Sequence, residues 1–418
     1  MTSVTSVTRA KRLLIVGCGF PQLSLIRTAK RLGVRVLGCD LNPQAIGVAD
    51  CDEFHAVSTG DADAVEALVR KLAPDGITTS GSEVALRTVA LVADRTGLAF
   101  HADPETIRRC QDKDTMRAAY EAGGVGVPPF VSCTTLAEAQ SFAALHAYPL
   151  VVKPARGWGQ RGVARVDTDD ELAPAFEAAR EHAASAGLPT VVVEGWLEGR
   201  EYSVNGWIED GRLVSYCVTE RLTVAGKRPL GVMIAEVYTS GLSRDEEALV
   251  VEEARRGARA LGHVRGPCYS QVAFAKVAGG APRAWLFETA ARMGGGFDAD
   301  VTRLASGVDL YARIVGLALG DRELELQGKT GPAHGGALAK VLIAQPGVVR
   351  AVDGLDAARA LPGVDLAEVF VPVGGRVHPL TDSAKRAGFV LAHGDSRASA
   401  TAAADSALAT MRLDVEAG

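Results

Sequence analysis

The stretch Ala284–Gly296 reads AWLFETAARMGGG. Trp285, Leu286 and Phe287 form an apolar, β-favouring run that delivers one carboxylate, Glu288. Arg292 follows four residues later, then Gly294, Gly295 and Gly296. On a strand leaving a buried sheet, this order places an acidic metal ligand, a cation and a flexible turn in one small volume. Each feature suits a polyphosphate held by Mg²⁺: oxygen ligands for a hard cation, a guanidinium fork for phosphoryl or carboxylate oxygens, and glycines that let backbone N–H groups come close. A buried strand ending in a glycine turn with a structural Glu–Arg pair would read the same way. The upstream chain decides between the two.

Tyr148–Val166, YPLVVKPARGWGQRGVARV, holds a buried strand ending in Lys153-Pro154, a glycine-punctuated cationic loop, and a second strand from Val163. Two strands joined by such a loop form a flap that can close over phosphates, with Lys153 as the fixed charge beneath. It is not a P-loop, because no GxxxxGK[ST] leads into a helix. A plain hairpin also uses glycines, but seldom together with Lys153, Arg156 and Arg161. Val191–Val204, VVVEGWLEGREYSV, follows. A connector that exposes backbone N–H and C=O at Gly195–Leu197 can pair with an adenine edge, and Glu201 can accept both ribose hydroxyls. Glu201 can equally be a surface charge beside Arg200.

At the N-terminus, Arg12–Val16 and Val34–Asp40 read as buried parallel strands around a helix over Pro21–Leu32. Asp61–Leu72 (helix), Gly76–Thr79 (strand) and Glu83–Thr96 (helix) repeat the unit. This βαβαβ layout predicts an α/β fold with a doubly wound parallel sheet. The Gly17-Cys18-Gly19 turn with Asp40 offers a dinucleotide reading, but Gln22 stands where the third glycine belongs and Pro21 removes an N–H. Glu83, opening its helix, reads either as a ligand for a substrate amine or as a carboxylate stabilising the helix dipole.

The length of 418 residues predicts two or three domains, and a net charge of −5 gives no footprint for nucleic acid. The seven cysteines lack any CxxC pair and suit reduced thiols in a cytoplasmic protein. No apolar run reaches membrane-spanning length, and the N-terminus lacks a signal-peptide h-region, its first ten residues reading as a disordered tail. A glycine- and proline-rich change of character at Gly123–Pro129 marks a domain boundary. The expected division is a tail over 1–10, an N-terminal α/β domain over 11–125, a central flap subdomain over 126–200 and a C-terminal subdomain with the metal site over 201–418. In that last part, Ser243–Leu261 reads as a long helix, and Cys268–Lys276 and Arg283–Thr289 as paired strands.

The ordered set Lys113, Lys153-Pro154, Gly157–Gly162, Glu194-x-x-Leu197-x-x-x-Glu201, Gln271 and Glu288-x-x-x-Arg292-x-Gly294-Gly295 resembles the ATP-grasp superfamily of carboxylate–amine or carboxylate–thiol ligases. The resemblance spans nearly the whole chain. It implies an N-terminal Rossmann-like domain, a small α+β flap domain and a C-terminal α+β domain with an antiparallel sheet. It further implies Lys113 and Lys153 on phosphates, a closing loop that includes Gly159, Arg161 and Gly162, Glu194, Trp196 and Leu197 at the adenine edge, and Glu201 on the ribose. Gln271 and Glu288 become the Mg²⁺ ligands, for one or two ions with Mn²⁺ as an alternative. Arg292, with Lys153, becomes catalytic, and Glu83, Arg292, Gly294 and Gly295 bind substrate. Many members carry Glu or Asp where Gln271 stands and Asn where Ala290 stands, which weakens a second metal site.

The pattern ETAAR is similar to that of the L-amino-acid ligase branch, which joins two amino acids into a dipeptide through an acyl phosphate. That branch implies ATP, amino-acid substrates and a homodimer. Competing readings are a biotin-carboxylase-like or purine-pathway enzyme, a nicotinamide-dependent dehydrogenase, and a catalytically silent nucleotide sensor.

Overall fold

The computed structural model describes residues 9–227, 230–276, 281–326, 328–329 and 331–416. The tail expected over 1–10 lies almost wholly outside them. The chain divides into two compact units, one of residues 1–104 and 309–328, the other of residues 105–308 and 329–418.

In the first unit, β1 (Arg12–Val16), β2 (Arg35–Asp40), β3 (Glu53–Ala56) and β4 (Gly76–Thr78) form an all-parallel sheet in the order β3-β2-β1-β4. α1 (Phe20–Arg31), α2 (Ala62–Leu72) and α3 (Glu83–Thr96) supply the crossovers. Strands covered on both faces need continuous apolar sequence, and Leu13–Val16 are all fully buried. The short β3 lacks such a run, with all four of its residues at least partly exposed, and the sequence reading passed over it. Two late helices, Leu310–Ala318 and Arg322–Glu325, belong to this unit. Gly76 meets the carbonyl of Ala318 so closely that a Cβ there would overlap it.

The Gly17 turn is closed by its own chain. Gly17 holds φ +96° with the Gln22 side chain against it, and Gln22 Nε2 reaches the Ser80 carbonyl. Asp40 accepts from the N–H groups of Cys18 and Asn42, both at 2.9 Å. The residues that a dinucleotide would need are thus engaged with one another.

The second unit opens with α4 (Pro104–Gln111) and α5 (Lys113–Ala122), so the helix bearing Lys113 packs here and not with the N-terminal layer. β5 (Phe130–Cys133), α6 (Leu136–Leu145), β6 (Leu150–Pro154), β7 (Ala164–Val166), α7 (Asp169–Ser185) and β8 (Val191–Gly195) follow. The four strands form an antiparallel sheet in the order β5-β8-β6-β7. One face packs on α6 and α7 through Phe142, Leu150, Val152, Leu172, Phe176 and Val193.

An eight-stranded sheet dominates the remainder. β9 (Gly199–Glu209), β10 (Arg212–Thr223), β11 (Met233–Tyr238), α8 (Arg244–Ala260), β12 (Gly266–Lys276), β13 (Pro282–Ala290) and α9 (Asp298–Ser306) come first. β14 (Gly336–Leu342), β15 (Gly347–Asp353), β16 (Val364–Val369), β17 (Arg376–Val377), β18 (Gly388–Gly394), a helix over Arg397–Thr410 and β19 (Arg412–Glu416) follow. The sheet order is β13-β12-β9-β10-β11-β14-β18-β16, and β17-β15-β19 form a small sheet of their own.

Pairing register decides what one face of the large sheet carries, because residues directly opposite each other point the same way. Gln271 lies opposite Glu288 on β13 and Ser203 on β9, Glu201 lies opposite Arg221 on β10, and Arg221 opposite Glu236 on β11. One face is therefore lined by polar and charged side chains with period two. α8 backs β13, and Gly257 lets it lie directly on the strand, since a Cβ there would overlap Leu286.

A capping box starts α8: Ser243 N–H donates to Glu246 Oε2 at 2.8 Å, and Glu246 N–H to Ser243 Oγ at 3.3 Å. Ser243→Ala is expected to lower unfolding free energy by about 1 kcal/mol in urea titration. No change in stability would mean that the cap contributes nothing to this helix.

Candidate active site

Between the four-stranded flap sheet and the polar face of the eight-stranded sheet lies a partly open cleft. Lys113, Lys153, Glu194, Glu201, Gln271 and Glu288 line it, along with Trp196 and Leu197. Residues scattered over 176 positions of sequence, from 113 to 288, thus meet in one place.

Glu288 owes its position to an irregularity. The β12–β13 register shifts just after Gln271, so that Gln271 faces Glu288 while Val272 faces Leu286. The extra residue is Phe287, and such a bulge re-aims the neighbouring side chain. Arg117 Nη1 donates to the Phe287 carbonyl at 2.8 Å, satisfying the group that the ladder leaves out. Burial alone would raise the Glu288 pKa. The charges of Lys113, Arg292, Lys153 and Arg221 outweigh it and hold the carboxyl below its usual range. Lys113 Nζ stands 3.7 Å from Glu288 Oε2 and donates to the Gly157 carbonyl at 3.2 Å.

Glu194 is buried beneath the cleft with both oxygens taken. Arg117 Nε and Nη2 donate to Oε2 at 3.0 and 2.8 Å, and Lys153 Nζ pairs with Oε1. Arg117 is fully buried and Lys153 nearly so. The Glu194 side chain is therefore engaged by cations before any nucleotide enters. Gly195 and Trp196 already donate their N–H groups to the carbonyls of Pro129 and Pro149, which leaves Leu197 as the next donor along the connector. The Trp196 ring is covered by the Arg165 guanidinium, 4.6 Å from its centroid. Burial drives the Lys153 pKa down, and the nearby Arg117 pushes the same way; Glu194 offsets part of this, leaving it at about 8.

Glu201 Oε2 accepts from Gln271 Nε2 at 2.8 Å and faces Arg221 Nε at 3.3 Å. A carboxylate only accepts, so Gln271 must turn its NH₂ towards Glu201 and keep its carbonyl oxygen as the acceptor end. Behind them, Arg221 faces Glu236, which also accepts from Ser203 at 2.9 Å and Thr219 at 2.6 Å. Burial and the nearby Asp298 push the Glu236 carboxyl up to about 8.

The flap loop carries left-handed backbone at Gly159, Gln160 and Gly162, with φ of +71°, +69° and +72°. Ser383 N–H donates to the Gly159 carbonyl at 3.1 Å, docking the tip. Arg156, which the sequence grouped with the flap's phosphate-facing charges, instead forms a two-point pair with Asp112 at 2.7 Å for each contact, tying the base of the loop to the start of α5. Arg161 lies over the Trp158 ring at the tip.

Arg292 Nη1 donates to the Met293 carbonyl at 2.8 Å, and its guanidinium lies over the Tyr269 ring. The glycines after it answer a packing demand. A Cβ on Gly294 would overlap the Asp298 carboxylate, and one on Gly296 would overlap Met233. Gly296 N–H donates to Asp298 Oδ2 at 2.9 Å, so that donor is already spent on the turn. Glu83 opens α3 in the other unit, after the Ser82 cap. Arg117, Arg221 and Asp298 were not foreseen.

These features match known proteins. Residues 112–326 match the ATP-binding domain family of the carbamoyl-phosphate synthase L chain, and residues 340–416 match the L-amino acid ligase C-terminal domain 2. The chain belongs to the ATP-grasp superfamily. It is 31% identical over 303 residues to the uncharacterized protein y4rH of Sinorhizobium fredii, covering 71% of this chain and 60% of that one. It is 26% identical over 370 residues to a formate-dependent phosphoribosylglycinamide formyltransferase of Mycolicibacterium smegmatis, covering 86% and 87%. The chain thus spans less than two thirds of y4rH, and 48% of a second such formyltransferase, from Stenotrophomonas maltophilia. Among solved structures, the L-amino acid ligase of Bacillus licheniformis superposes with a TM-score of 0.79 at 21% identity, over 98% of this chain and 100% of that one. The biotin carboxylase domain of a 2-oxoglutarate carboxylase from Hydrogenobacter thermophilus, in complex with MgADP and bicarbonate, gives 0.76 at 17%, over 97% and 91%. These likenesses establish the ATP-grasp fold.

ATP with Mg²⁺ is the cofactor pair of this superfamily. The side chains fit one ion: Gln271 offers an amide oxygen and Glu288 a carboxylate. Among the described residues no group of three or more His, Cys, Asp or Glu side chains could hold a metal. An ion here would take its remaining oxygens from phosphate and water, as Mg²⁺ prefers. Because Lys153 is charged below about pH 8 and neutral above it, nucleotide affinity is expected to fall up to about tenfold between pH 7 and pH 9. Calorimetry with MgADP checks this, and constant affinity across that interval would detach Lys153 from nucleotide binding.

Proposed function

We propose that this protein joins the carboxylate of one amino acid to the amine of a second, converting ATP to ADP and phosphate. The observation that carries this reading is the match of residues 340–416 to the L-amino acid ligase C-terminal domain, on a chain whose ATP-grasp cleft brings Lys113 and Lys153 beside Gln271 and Glu288. The same reading divides the second part of the chain into a central subdomain over 126–200 and a C-terminal subdomain over 201–418, and takes a homodimer as the working assembly. Among the described residues, no helix is long and apolar enough to cross a membrane.

In this reading the connector at Glu194–Leu197 seats the adenine and Glu201 receives the ribose. Lys113 and Lys153 hold phosphate oxygens, and Gln271 and Glu288 hold Mg²⁺, which when bound neutralises the charge on the transferring phosphoryl group. A carboxylate resists attack by an amine because oxide would have to leave. One carboxylate oxygen of the first amino acid therefore attacks the γ-phosphorus, forming an acyl phosphate and releasing ADP. The neutral amine of the second attacks the acyl carbon, the C–O bond to phosphate breaks, and the amine proton leaves with the phosphate. Arg292 steadies the carboxylate and then the tetrahedral oxyanion, with the Gly294 and Gly295 backbone beside it. The loop over Gly159, Arg161 and Gly162 excludes water, which would otherwise hydrolyse the acyl phosphate. Glu83 is the proposed contact to a substrate amine.

Phosphate release should depend on pairs of amino acids, with the dipeptide identified by mass spectrometry. Release that responds to bicarbonate or formate, and not to any amino-acid pair, would favour the carboxylating or formyl-transferring relatives instead. Arg292→Ala is expected to retain MgADP binding while turnover falls at least about a hundredfold, a barrier increase of roughly 3 kcal/mol or more. Unchanged turnover would remove Arg292 from the chemistry.

A further inference from the structure

The charged side chains that line the cleft do not, by themselves, favour a polyphosphate. Lys113 and Lys153 stand against Glu194, Glu201 and Glu288, two positive charges against three negative, which leaves one negative charge in excess. The group that alters this balance lies just behind the lining. Arg117, fully buried on α5, places two donors on one oxygen of Glu194, while Lys153 holds the other oxygen. Arg117 and Lys153 thus share a single counter-charge, and the buried trio carries one positive charge that no protein carboxylate within it cancels. Buried charge of this kind is costly unless a counter-ion arrives.

We propose that Arg117 is a positioning residue for the nucleotide: by neutralising Glu194 from behind, it leaves Lys153 with a positive charge to offer the polyphosphate. This rests on the ATP-binding reading of the cleft. Lys153 is the cation of the trio that lines the open space, whereas Arg117 is enclosed on all sides. Without Arg117, the shortest path to neutrality would be a closed Lys153–Glu194 pair, with nothing left for phosphate. The third donor of Arg117, on the Phe287 carbonyl, adds a second consequence, because it fixes the bulge that aims Glu288. One buried guanidinium therefore sets the charge under the phosphates on one strand and the direction of the metal-side carboxylate on another.

The test compares affinity for ADP with affinity for adenosine, which shares the base and ribose but has no phosphate. Arg117→Gln is expected to weaken ADP at least about tenfold while adenosine changes less than about threefold. Glu194→Gln, which removes the shared negative charge, is expected to shift the ADP-to-adenosine preference in the opposite direction. The double variant, which restores the trio's net charge, should return that preference to within about threefold of the parent. A merely structural role would lower both affinities together and give no reversal of sign. Equal losses for ADP and adenosine in Arg117→Gln, or a Glu194→Gln preference that moves the same way, would overturn the proposal. Should Arg117→Gln fail to fold, Glu194→Gln decides alone by the direction of its shift. A parent protein that binds neither ligand would overturn the nucleotide reading as well.

Discussion

One constraint governs the site: like and unlike charges must be buried close together on two different sheets, and each carboxylate must find a cation before any ligand arrives. Glu194 on the flap sheet and Glu288 on the eight-stranded sheet are the two carboxylates around which this happens. Each would be driven towards its neutral form by burial, and each is kept below its usual pKa by cations assembled around it. Those cations come from α5 and β6 as well as from the polar face of the large sheet, so the cleft can exist only when all of these elements are in register.

The polar face of the large sheet meets the same constraint. Period-two alternation along β9, β10, β11 and β12 brings Glu201, Ser203, Thr219, Arg221, Glu236 and Gln271 to one side, and they satisfy one another in a continuous chain. Such a network is rigid when fully paired and costly when broken, which makes it a suitable floor for a ligand that must be held in line. The glycine turn after Arg292 is folded tightly on Asp298, and Asn205 reaches that same carboxylate at 3.3 Å. The turn's shape is thereby set from beneath by the floor itself.

Much of this was legible in the sequence because it rests on local pattern. The parallel layer was carried by unbroken apolar runs at β1 and β2, and the pairing of Gln271 with Glu288 by two β-rich segments in close succession. Arg117 escaped notice because its partner lies 77 positions away, and no spacing rule connects a helix to a strand across a fold. A signal was present, however. Arg117 sits on the α5 face that buries Met116 and Tyr120, and a lone charge on such a face demands a buried counter-charge. Arg156 was counted among the cations of the glycine-bearing loop, and its actual partner, Asp112, is likewise distant in sequence. The glycines at 294 to 296 were read as letting backbone N–H groups come close to a ligand, and Gly294 and Gly296 answer a second demand that the sequence did not show, the packing of Asp298 and Met233 against them. β3 was missed because a short, partly exposed edge strand carries no apolar run.

The central claim is that a nucleotide occupies the cleft with its phosphates between Lys153 and the Gln271–Glu288 pair. A crystal structure with MgADP tests it most directly. The account requires phosphate oxygens on Lys153 and the ion on Glu288 and the Gln271 carbonyl oxygen, with the Arg117–Glu194 contact intact. A nucleotide bound elsewhere, or an ion ligated by neither residue, would contradict it.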